Sequence, residues 1–421
     1  MSNLVPFGKI KSQNQPAGLG PIALAGRNSA FATPDIYVGR LQLTNFRSYE
    51  RVTLAPQARS VVLTGPNGAG KTNILEALSF LSPGRGLRGC KLSEARRITE
   101  ALTSDHWAVA ARLKTPDGTT NLGTGLAASE SVSGADGDSP ESSQRDKRIM
   151  RIDGENGAGQ TAFGNILQVA WLTPQMDRLF IEAPSGRRRF LDRIVASFHS
   201  AHGRQVNAYD RVMRERNRLL QDGSQDNSWL TALESRMAEH GVAVAAARLD
   251  AIEKLTGAIE ESASCFPKAT LAVDGLLEEG LMTGPALAVE DDFRRVLCDN
   301  RAQDARRGRA GGGPHKTDLI ACHKDKAMPA ALCSTGEQKA LLIGITLASA
   351  RITATAFGAA PILLLDEVAA HLDRTRRAAL FDELAALGAQ VWLTGTDRLL
   401  FDELEGRACH YRVENNRVTE E

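Results

Sequence analysis

Apolar and polar positions alternate over residues 37–43, and shorter apolar runs follow at 52–54 and 60–63. This pattern predicts closely spaced strands at the start of a sheet. A helix is expected over 71–81. From 187 to about 264 the period becomes helical, with long amphipathic stretches over 209–220 and 229–259. Their heptads are not sustained far enough for a long coiled coil. After a basic, glycine-rich loop at 308–314, strand and helix alternate again. A helix runs from Gly336, a strand occupies 362–365, a helix follows Asp373 and a strand covers 390–393. No internal repeat is visible.

These elements predict an α/β fold in which residues 36–185 and 310–421 form one nucleotide-type domain and 186–309 an inserted, mostly helical lobe. Residues 1–35 mix Lys, Gln, Asn, Gly and Pro, and read as a disordered extension too weakly apolar for a signal peptide. Residues 125–147, rich in Ser, Gly, Asp and Glu, read as a flexible insertion between two strands. The longest apolar run, 340–350, carries Thr346 and Ser349 and reads as a buried helix. It falls short of the roughly 18 apolar residues a membrane span needs, so a cytoplasmic location with no membrane partner is expected.

Composition narrows the possibilities only slightly. The chain has 421 residues, 42% hydrophobic and 24% charged, an ordinary balance for a folded chain with a large core. A net charge of +1 excludes a protein basic all over, so any nucleic-acid site must be a local patch. Cys90, Cys265, Cys298, Cys322, Cys333 and Cys409 never stand at C-x-x-C spacing, which argues for reduced thiols rather than zinc or disulfides.

Candidate chemistry begins at Gly65, Pro66, Asn67, Gly68, Ala69, Gly70, Lys71 and Thr72, which fit G-x-x-x-x-G-K-[ST] at every fixed position. Glycines let backbone amides turn toward phosphate oxygens. Lys71 supplies charge to the β- and γ-phosphates of ATP, and the Thr72 hydroxyl can ligate Mg²⁺. Far downstream, four apolar residues at 362–365 end in Asp366 and Glu367. A buried parallel strand would deliver Asp366 to its C-terminal edge to hold the Mg²⁺ shell. Glu367 would polarise the attacking water as general base. Ser334, Thr335, Gly336, Glu337 and Gln338 open a helix about 30 residues earlier. Alone they read as a capping box, a reading that does not exclude an anion site, because both use the same orphan amides.

In combination these motifs resemble ABC-type ATPases. The P-loop, the signature at 334–338, the acidic strand and a D-loop at His371, Leu372 and Asp373 stand in that family's order. The resemblance implies that Ser334, Gly336, Gln338 and Asp373 meet ATP held by a second subunit. It also makes Gln175 the Q-loop glutamine that senses Mg²⁺ and the γ-phosphate. The usual switch histidine is missing, so Thr396 or Thr394 would have to contact the γ-phosphate, and hydrolysis is expected to be slow.

More than 200 residues separate Gly70 from Ser334, with a helical lobe between them. That arrangement resembles the RecF family of bacterial recombination mediators within the SMC-like group. Leu43-Thr-Asn-Phe-Arg-Ser-Tyr49, Arg187-Arg-Arg-Phe-Leu-Asp192, the 209–220 segment and Gly313-Pro-His-Lys-Thr-Asp318 are similar to its motifs. Lys316 stands where that family has arginine. The resemblance covers about 36–415 and implies ATP-dependent homodimerisation on single-stranded, gapped or junction DNA. It further implies RecA loading with RecO- and RecR-type partners in DNA repair, replication restart and the SOS response, without nuclease activity. Basic clusters at Arg85, Arg88, Lys91, Arg96 and Arg97, at 187–189, at Arg211, Arg214, Arg216 and Arg218, and at Arg306, Arg307 and Arg309 are candidate phosphate tracks. Arg47 is open between ATP phosphate, DNA and a strand-edge carboxylate. The competing class is an energy-coupling ATPase subunit with a membrane or other protein partner.

Overall fold

The computed structural model describes residues 35–57, 60–98, 104–126, 148–157, 159–223 and 226–421. The expected N-terminal extension lies outside these residues apart from its last position. So does the expected insertion, apart from residues 125 and 126.

Strands β1 (Tyr37–Phe46) and β2 (Tyr49–Leu54) form a tight hairpin, with positive φ at Asn45 near the end of β1 and at Arg47 in the turn. Next come β3 (Ser60–Thr64) and α1 (Lys71–Ser79), then β4 (Trp107–Thr115), β5 (Gly118–Leu126), β6 (Arg148–Ile152) and β7 (Glu155–Asn156). The order β2-β1-β4-β5-β6-β7 makes one antiparallel sheet. β3 belongs to a different sheet, so the three leading strands do not share one as expected. The reason is in their patterning. β1 alternates and leaves one face to solvent, whereas Val61, Val62 and Leu63 are all fully buried, as a central parallel strand requires.

The chain continues through α2 (Gln160–Gly164) and β8 (Val169–Leu172) into the helices α3 (Pro184–Phe198), α4 (His202–Gln221) and α5 (Asn227–Glu260). After them come β9 (Ala269–Asp274), α6 (Leu276–Thr283), α7 (Ala286–Asp299), α8 (Arg301–Arg307), β10 (Asp318–His323) and β11 (Met328–Pro329). The return segment holds α9 (Thr335–Phe357), β12 (Ile362–Leu365), α10 (Arg374–Ala386), β13 (Val391–Gly395), β14 (Ala408–Glu414) and β15 (Arg417–Glu420). The second sheet runs β15-β14-β3-β13-β12-β8, parallel except for β15.

Two apolar cores flank this parallel sheet. On one side α1 packs beneath the antiparallel sheet, where Phe46, Phe80 and Trp107 meet with ring centroids 5.1–5.9 Å apart. On the other lie α9 and α10. By length and composition α9 could cross a membrane, yet its apolar residues are buried against α3, α5 and β8. The lobe has a third core of its own, built on Tyr209, Met237, Val242 and Phe293.

The expected boundaries of the lobe are crossed twice. α5 starts in the lobe core and ends, at Leu255 and Ile259, in the core beside α9. β9, within the supposed helical insert, pairs with β10 beyond it. One long helix and one strand pair thus tie lobe to head.

Candidate nucleotide site

The P-loop joins β3 to α1, and its glycines answer to backbone demands. Gly65 has φ 146°, and a Cβ there would lie 2.0 Å from the Val413 carbonyl oxygen. Gly70 has φ 107°, and its Cβ would meet the Tyr49 hydroxyl at 2.6 Å. No side chain caps the first turn of α1, so its amides face the loop, the arrangement that binds phosphate. Lys71 is buried, its Nζ donating to the carbonyls of Gly65 at 2.6 Å and Pro66 at 3.0 Å. Burial pulls its pKa down, opposed by the nearby charges of Glu367 and Asp366.

Thr72, one residue on, reaches the acidic strand. Its hydroxyl lies 3.0 Å from each carboxylate oxygen of Asp366. Asp366 also accepts a 2.7 Å bond from the Thr394 hydroxyl, and that hydroxyl accepts from the Glu367 amide at 2.9 Å. Glu367 itself sits at φ 55°, a left-handed conformation that costs a non-glycine residue about 1 kcal/mol or more. Thr394 is therefore a brace between the two acidic residues, a role the sequence reading missed. Its buried hydroxyl is spent there, whereas Thr396 is exposed just beyond β13. Gln175 is exposed in the turn Pro174–Arg178 directly after β8, whose Leu172 pairs with Leu365. It stands at the same sheet edge as Asp366.

The signature helix realises the capping box. The Ser334 amide donates to Glu337 Oε2 at 2.9 Å, and the Glu337 amide donates to Ser334 Oγ at 3.4 Å. Lys326 and these bonds hold the Glu337 carboxyl down at about 2. Ser334 and Gly336 are exposed, with open space where a Gly336 Cβ would stand. Gln338 is not available on that face. It is buried and donates to the Cys333 carbonyl at 2.8 Å, bracing the loop from behind. Asp373 is exposed and caps α10 through the Arg376 amide at 2.9 Å. Among the described residues, no hydrogen bond or ion pair joins Ser334, Gly336 or Asp373 to the P-loop.

Several of the candidate basic residues are occupied within the fold. Arg47 forms a bidentate pair with Glu76, fully buried on α1, at 2.6 and 2.8 Å, and Arg88 binds the same carboxylate. The partner of Arg47 is thus a carboxylate buried on a helix, not one at a strand edge. Arg97 pairs with Glu50 at 3.4 Å, and Arg187 is bidentate to Asp318 at 2.8 Å. Arg216 is wholly buried between Glu234 and Asp304. Burying a carboxylate without a partner is costly, and sequence clustering does not reveal which arginine is taken. Arg85, Lys91, Arg211, Arg307 and Arg309 remain exposed.

The 313–318 motif clasps lobe to head. Gly313, at φ 126°, lets the chain pass Tyr209, whose hydroxyl meets His315 Nδ1 at 2.8 Å. The Pro314 carbonyl accepts from Arg248 at 2.7 Å, Thr317 donates to Glu278 at 2.8 Å, and Asp318 holds Arg187. Lys316 alone of the motif's side chains points to solvent.

A P-loop and an acidic strand on one parallel sheet, a serine-capped signature helix and a helical lobe between them define an ABC-type ATPase head of the SMC-like group. The family model described as the RecF/RecN/SMC N terminal domain matches residues 37–419. The DNA replication and repair protein RecF of Brucella abortus is 48% identical over 390 residues, covering 92% of this chain and 97% of that protein. Its counterpart from Rhizobium etli is 45% identical over 385 residues, with 91% and 98% covered. The chain belongs to the RecF family. A solved structure described as the recombination mediator protein RecF-ATPrS in the RecFOR pathway superposes with TM-score 0.77 at 20% identity, over 93% of this chain and all of that one.

Proposed function

We propose that the chain is an ATP-driven dimeric switch acting on DNA in replication and repair. The observation that carries this reading is the hydrogen-bonded set Thr72, Asp366, Thr394 and Glu367 beside the P-loop, in a chain of the RecF family. Lys71 would leave its two loop carbonyls for the β- and γ-phosphates of ATP, a charge-assisted exchange. Thr72 and Asp366 offer hard oxygen donors already in contact, a pairing suited to Mg²⁺, with Gln175 at the same edge. The ion would neutralise phosphate charge. Glu367 is the general base, at the end of β12 in a left-handed conformation with its amide held by Thr394.

Ser334, Gly336 and Asp373 belong to a second half-site that faces the ATP of another copy. Two subunits close around two nucleotides, and hydrolysis, slow with Thr396 in place of a histidine, releases them. The dimer binds single-stranded, gapped or junction DNA in the cytoplasm and supports RecA loading with RecO- and RecR-type partners. No nuclease step belongs to this cycle. Fluorescence anisotropy of a gapped duplex with Glu367→Gln protein, with and without ATP, tests the reading. Tighter binding with ATP is expected, and no binding in either condition would overturn it.

A further inference from the structure

The exposed face of the antiparallel sheet carries cations that the fold does not use. Pairing register puts Arg51 with Thr44, Arg40 with Arg112, Lys114 with Thr119, and Gly123 with Arg151, all on the side away from α1. Arg40, Arg51, Arg112, Lys114 and Arg151 are exposed. Their only polar contacts among the described residues are to neutral groups: Arg112 to Asn121 at 3.4 Å, Lys114 to Thr119 at 2.8 Å and Arg151 to Asn156 at 2.6 Å. No carboxylate occupies an outward position on β1, β4, β5 or β6. Among the described residues the neighbouring acids are Asp117 and Asp153 in the turns at one end, Asp153 bonded to Asn121, and Glu50 and Glu155 on the edge strands β2 and β7.

Two features make this more than a solvated face. Arg40 and Arg112 stand directly opposite each other across β1 and β4, a like-charge pairing that works against sheet stability. The arginines of the sequence clusters, by contrast, are in several cases neutralised by buried carboxylates. The floor between the cations is also low and smooth. Ala108, Ala110 and Gly123 lie side by side there, so a rigid polyanion can approach the backbone closely. From β2 to β6 the face spans four strand spacings, about 19 Å.

We propose that this face is a docking surface for the phosphate backbone of duplex DNA, an assignment that rests on the DNA reading above. Charge complementarity selects a polyanion. The floor lacks the aromatic rings on which single-stranded bases stack, Tyr37 being half-buried at the rim. The short floor residues reach no base edge, so the contact is independent of sequence.

The test is R40Q/R112Q/R151Q in the full chain with ATP, using anisotropy of a blunt duplex over a KCl series. Wild-type protein should bind with a salt slope that the triple variant makes shallower by about 2 to 3, at about 0.9 per lost phosphate contact. Melting temperature should hold or rise, because the Arg40–Arg112 repulsion is relieved, whereas a structural role would lower it. R306Q/R307Q/R309Q on the lobe is the comparator. An unchanged slope in the sheet variant, or tighter binding of a single strand than of the duplex by wild-type protein, overturns the proposal while leaving DNA binding intact. Absence of wild-type binding sinks the DNA reading itself.

Discussion

Arg216→Met tests the reassignment of a sequence-level basic cluster to the lobe's interior. Arg216 has no exposed surface and links three helices through its guanidinium. Nε donates to Glu234 at 2.9 Å, Nη1 to Asp304 at 2.8 Å and Nη2 to the Leu297 carbonyl at 2.6 Å. Methionine would fill much of the space and leave the acids behind. Glu234 keeps Arg301, whose Nε lies 2.9 Å away. Asp304 keeps only the Gly311 amide at 2.9 Å, with no cation. Removing one side of such a buried pair costs about 3–5 kcal/mol, most of it the penalty on the stranded charge. The expected loss is therefore about 4 kcal/mol in urea unfolding followed by circular dichroism. Asp304→Asn in the same background should recover at least about 1 kcal/mol by removing that charge. The folded fraction should bind DNA with the wild-type salt slope, because Arg216 touches no solvent. A loss below about 1 kcal/mol, or a changed salt slope in folded protein, would refute the reasoning.

Thr394→Val keeps the shape and deletes both of its bonds to the acidic pair. It should lower steady-state phosphate release at least tenfold while changing ATP affinity by less than about threefold, and cost about 1–3 kcal/mol of stability. Burial holds His315 at about 4, below the ordinary 6.5, so the fold favours the neutral ring. The stability this provides is complete above pH 6.5 and is lost as pH falls toward 4. The loss is up to about 3 kcal/mol. His315→Gln should flatten that part of the stability–pH curve measured by denaturant unfolding, and an unaltered curve would count against the buried neutral histidine.

The parts of the site that sequence exposes are those whose demands are local. Gly65 and Gly70 take positive φ within one turn and Ser334 and Glu337 close one helix end, so spacing reveals them, though not the approach of Val413 to Gly65 or of Tyr49 to Gly70. Sequence leaves the γ-phosphate contact open between Thr396 and Thr394, because the partners of Thr394, Asp366 and Glu367, reach it only through the parallel pairing of β12 with β13. Arg47 stayed open among three roles for the same reason. Glu76 is 29 positions away and meets it only when α1 packs under the hairpin. Gln338 reads as part of the signature, yet it is buried with its amide spent on the Cys333 carbonyl, a contact that spacing does not show. The head's α/β order was legible from period changes. The reach of α5 into the head and the β9–β10 pairing were not, since amphipathic pattern gives a helix's face but not its neighbour.

The central claim is that one chain holds half of each ATP site. Sedimentation velocity tests it most directly, with Glu367→Gln protein titrated with ATP and compared with Glu367→Gln/Ser334→Arg. Ser334 is exposed, and losing its cap costs only about 1 kcal/mol, so the second variant should remain folded and bind ATP. The account predicts a monomer without nucleotide, a dimer with ATP for the first protein, and a nucleotide-bound monomer for the second. A monomer at every ATP concentration, or an ATP-dependent dimer indifferent to Ser334→Arg, would contradict it.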